Sequence, residues 1–89
     1  MSETKSDVEV MTGIIGQLKD LHHSSVALVE KTANVQLKAM EGGQDKLFDQ
    51  LAKPFSSLSE NTKVLEEILK EAENELNKLK KEAEKGQGS

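Results

Sequence analysis

Residues 48–83 read FDQLAKPFSSLSENTKVLEEILKEAENELNKLKKEA, and within them Phe48, Leu51, Phe55, Leu58, Thr62, Leu65, Leu69, Ala72, Leu76, Leu79 and Ala83 recur every three or four residues. Only Thr62 is polar. That alternation is the period of a helix packing along one seam, not the twofold period of a strand. From Lys63 to Lys85 the chain is rich in Glu, Lys, Leu and Ala, all strong helix formers. Pairs such as Glu66–Lys70 sit one turn apart, and Lys78, Lys80, Lys81 and Lys85 gather where the helix dipole favours positive charge. Pro54 lies inside the run and removes a helical hydrogen bond, at a cost of about 3 kcal/mol. Either the helix continues through a kink, or it breaks near Lys53 and restarts with Ser57 and Glu60 as a capping box. The heptad phase is unchanged across Pro54, which favours continuation.

Before this segment the same period appears in Met11, Ile14, Leu18, Leu21, Ser25, Leu28, Thr32, Val35 and Ala39. One alternate set of these (Met11, Leu18, Ser25, Thr32, Ala39) becomes small toward its end. The other (Ile14, Leu21, Leu28, Val35) stays large and apolar. Ser6 and Glu9 have the spacing of a capping box, and Glu41-Gly42-Gly43 supplies the glycine that ends a helix. The spacing therefore predicts a disordered N-terminus over 1–6 and a helical hairpin over 7–85. Within it a helix covers about 7–40, a turn 41–45 and a second helix about 46–84, with a flexible tail over 86–89.

The predicted fold class is all-α: an antiparallel two-helix hairpin with heptad packing, expected to complete a four-helix bundle with a partner or a second copy. One register places Ala39 near Leu51, Thr32 near Leu58, Ser25 near Leu65 and Leu18 near Ala72, with Val35 facing Phe55 and Ile14 facing Leu76. A shift by one heptad is the alternative. Val10, Ile15, Val26 and Val29 lie beside the first seam, and Leu47, Ala52, Val64 and Ile68 beside the second. A strict two-stranded coil would make many of these positions polar, so the widened stripe points to further helices. Ile15, Val29, Leu47 and Ile68 are the expected outward partner contacts, with Phe48 and Phe55 as candidate anchors near the turn.

Composition narrows the function. The 89 residues hold 12 basic and 16 acidic side chains, a net charge of -4, with no Cys, Trp or Tyr. Nucleic-acid binding normally needs a basic face, so the charge balance argues against it. Absent cysteine removes disulfides and thiolate metal sites together. The N-terminal stretch is polar, unlike a signal peptide, and the longest apolar run, Val26-Ala27-Leu28-Val29, is far short of a membrane span. A cytoplasmic location is expected, with export by a leaderless route as the alternative. Scarce aromatics and a regular heptad argue against spreading on lipid.

Chemistry finds little purchase. His22 and His23 are adjacent and point about 100° apart on a helix, so they cannot chelate one ion. Asp20, His22 and Ser24 or Ser25 are triad residue types crowded into a turn and a half, where in-line geometry cannot form. Gly42-Gly43 lacks the following Lys-Ser/Thr of a phosphate-binding loop. The expectation is a non-enzymatic protein-protein interaction module without catalytic, cofactor-binding or metal residues and without a small-molecule substrate.

The plan of a polar start, helix, Gly-containing turn and helix in about ninety residues resembles the small WXG100-type helical hairpins of type VII secretion. Met1-Ser-Glu-Thr-Lys-Ser-Asp7 is similar to their polar starts, and Glu41-Gly42-Gly43 stands where they carry Trp-x-Gly. No Trp precedes this glycine, and no Tyr-x-x-x-Asp/Glu motif occurs near Lys85. The resemblance implies a small partner of the helical segment of a larger secreted effector. The alternative is a coiled-coil scaffold or adaptor subunit of an intracellular complex.

Overall fold

The computed structural model describes the backbone of residues 6–88 and the side chains of residues 6–84. Two helices account for it: α1, Asp7–Glu41, and α2, Asp45–Gly88. They lie against each other as an antiparallel hairpin 69 Å long, 23 Å wide and 14 Å thick. Its radius of gyration is 20.1 Å, against about 12 Å for a compact domain of this length. A rod two helices wide has almost no interior. Ile15, Ala39 and Ser25 are the only buried residues among those described.

Local chemistry fixes both ends of α1. The Ser6 hydroxyl accepts the Glu9 amide at 3.1 Å, and the Glu9 carboxylate accepts the Ser6 amide at 3.2 Å, forming the predicted capping box. At the other end the Gln44 amide donates to the Ala39 carbonyl at 2.8 Å and the Gly43 amide to Met40 at 3.1 Å. This is a Schellman motif, and it requires the φ of +72° that Gly43 adopts. The chain then re-enters a helix at Asp45, one residue earlier than predicted, with the Phe48 amide on the Gln44 carbonyl at 3.0 Å.

α2 runs unbroken through Pro54 and extends to Gly88, beyond the predicted end near residue 84. Pro54 is exposed, as is Gln50, whose carbonyl loses its amide partner to the ring. Water can satisfy that carbonyl. The predicted disorder of residues 1–5 lies outside the described residues. Ser6 is placed by its cap.

The α2 seam is the one its sequence predicts. Phe48, Leu51, Phe55, Leu58, Thr62, Leu65, Leu69, Ala72, Leu76 and Leu79 are all half-buried, and only Ala83 is exposed. The α1 seam differs. Met11, Leu18 and Thr32 are half-buried and Ser25 and Ala39 buried, as expected. Ile14, Leu21, Leu28 and Val35, the apolar second set, are 44–53% exposed. Their places are taken by Val8, Ile15, His22, Val29 and Gln36.

α1 is thus rotated by about 50° from the expected seam, at 100° per residue. Polar groups account for the side chosen. The Ser25 and Thr62 hydroxyls hydrogen-bond across the interface, and Gln36 Nε2 donates to the Phe48 carbonyl at 3.3 Å. The expected Val35–Phe55 and Ile14–Leu76 contacts are replaced accordingly. Ser25 stands opposite Thr62 rather than Leu65, a change of less than one turn, so no heptad shift has occurred.

Candidate interaction surface

The hairpin has two flanks, and side chains identify each. On one, Lys19 Nζ approaches Glu73 Oε2 at 3.9 Å, and Val26, Val29, Glu30, Ser59 and Thr62 line an open groove of 330 Å³. Both members of the ion pair are well exposed, so it adds little stability. The opposite flank carries Ile14, Leu21, Leu28 and Val35, seven residues apart along the middle of α1. Ile68 of α2, 42% exposed, lies about level with Leu21 on that side.

Of the expected outward contacts, the structure keeps two outside. Leu47 is 50% exposed and Ile68 42%. Ile15 is 6% exposed and packed inside the hairpin, and Val29, two heptads further along the same seam, is half-buried and lines the open groove. Ile15 offers no outward surface, because the rotation of α1 turns it toward α2, and Val29 keeps only the part of its surface that faces the groove. Phe48 and Phe55 are half-buried on the α2 seam near the turn. The outward residues that sequence reasoning assigned to the seam are Ile14, Leu21, Leu28 and Val35. Their signal was present as an all-apolar heptad set, but periodicity alone could not say which neighbour it faces.

His22 is half-buried on the seam and His23 exposed. Among the described residues no group of three or more His, Cys, Asp or Glu side chains could share a metal ion. The Ser25 hydroxyl is engaged by Thr62, whose own Oγ1 donates to the Leu58 carbonyl at 2.7 Å. No helix among the described residues is long and apolar enough to cross a membrane.

These features define a class, the helical hairpin with an uncovered apolar flank. Comparison with protein-family models, with curated proteins and with solved structures gives no match to this chain.

Proposed function

We propose that this protein is a non-enzymatic interaction module that pairs with other helices through its exposed apolar flank. One observation carries the reading. Eleven large apolar side chains are exposed among the described residues, whereas only two apolar residues, Ile15 and Ala39, are buried. Such an imbalance inverts the usual arrangement of a self-sufficient domain, and a contiguous exposed apolar stripe marks an interaction surface. Each half-exposed Leu, Ile or Val that a partner covers contributes about 1 kcal/mol.

The WXG100-type resemblance supports a particular setting for this pairing, as the small partner of a larger type VII secreted effector. The heptad seams are equally compatible with a scaffold or adaptor subunit. Affinity purification of the tagged full chain from its own cells, alongside a Leu47→Glu/Ile68→Glu variant, tests the module and separates the settings. The expected result is a stoichiometric helical partner, lost in the variant while circular dichroism shows unchanged helix. A single larger effector supports the secretion setting, and a multi-subunit complex supports the scaffold. Identical recovery with the variant overturns the role of these faces.

A further inference from the structure

We infer that the Ile14–Leu21–Leu28–Val35 flank is covered by a second copy of this chain, lying antiparallel on the first about a twofold axis between Leu21 and Leu28. The inference rests on the reading of the protein as a helix-pairing module and names its occupant. Area comes first. The chain exposes 6839 Å², whereas a compact monomer of 9.8 kDa exposes about 5,200 Å². The surplus of about 1,600 Å² comes with the 69 Å rod shape, which gives one flank length enough to present the ~800 Å² that each partner contributes to a standard interface.

Symmetry selects the occupant. A twofold interface must be self-complementary, each residue meeting its counterpart across the axis. Read in either direction, this stripe is β-branched, Leu, Leu, β-branched. Antiparallel pairing sets Ile14 against Val35 and Leu21 against Leu28, so like shapes meet at every level. The charges beside the stripe agree. Asp20 and Lys31 are exposed on the side of it away from α2. The same axis brings Lys31 of one copy within two residues, about 3 Å along the helix, of Asp20 on the other. Two such opposite-charge pairs form, one on each side of the axis. The result is a four-helix bundle in which each α1 faces α2 through its polar seam and the other α1 through its apolar one.

Light scattering behind size exclusion, with refractive-index detection because Trp and Tyr are absent, tests this on the full chain at 100 µM. The expected mass is twice 9.8 kDa. Leu21→Glu/Leu28→Glu falls to the monomer mass with its helix retained. Asp20→Lys weakens the dimer about three- to tenfold, and adding Lys31→Asp to it restores the affinity. A wild-type monomer overturns the second copy. If that monomer is expanded and weakly helical, the module reading stands with another protein on the flank. If it is fully helical and melts cooperatively, the module reading falls as well. A dimer that persists in the double-Glu variant overturns the assigned face. Should that variant lose its helix, the charge swap decides, and failure to restore affinity overturns the arrangement.

Discussion

Gly13 and Gly16 interrupt α1 where an added Cβ would meet nothing within 4 Å. Each costs helix stability without easing any contact inside the hairpin. Gly16→Ala is therefore expected to raise stability by about 0.5–1 kcal/mol in urea unfolding. A loss instead would show that another backbone approaches there. Gly43 behaves oppositely, because its φ of +72° is strained for any residue with a Cβ. Gly43→Ala should cost about 1 kcal/mol. The Ser25–Thr62 pair is asymmetric. Ser25→Ala leaves Thr62 its bond to the Leu58 carbonyl and should cost less than about 1 kcal/mol. Thr62→Val strands the buried Ser25 hydroxyl and should cost about 1–2 kcal/mol, read from the same denaturation curves.

Continuity through Pro54 is the main feature at the level of the helices. The seam residues on either side, Leu51, Phe55 and Leu58, keep their phase and their burial, so packing holds the helix where local propensity would break it. Pro54→Ala restores an amide donor for the Gln50 carbonyl, and unfolding should become harder by about 1–3 kcal/mol. α1 shows a different division of labour. Its polar-studded seam (Ser25, Thr32, Gln36, His22) faces α2, and its most apolar line faces outward. Replacing Ile15 by Glu would place a charge among α2 side chains and should unfold the hairpin, whereas Leu21→Glu should leave its helix content unchanged by circular dichroism.

At the scale of the whole molecule, a 69 Å rod with three buried residues among those described gains little stability from its own core. Association adds to that stability, which should therefore depend on concentration. For the twofold bundle the melting temperature should rise by about 3–4 °C for each tenfold increase in protein. Melts followed at 222 nm over two decades of concentration measure this directly. A constant midpoint would mean that the hairpin alone is self-sufficient.

The two helices, the capping box at Ser6, the glycine turn and the α2 seam from Phe48 to Leu79 were legible in the sequence, because each depends on spacing within a few residues. At Pro54 the unbroken heptad phase favoured a kinked continuation over a break without deciding between them, and the helix runs through. Which line of α1 meets α2 was not legible. Two lines of equal period, Ile14–Leu21–Leu28–Val35 and Ile15–His22–Val29–Gln36, lie one residue apart. Apolarity favours the first, and only tertiary structure shows that α2 takes the second, where Ser25 finds Thr62 and Gln36 finds the Phe48 carbonyl. Periodicity identifies surfaces to be buried. Their assignment to one neighbour or another depends on hydrogen bonds between residues far apart in the chain.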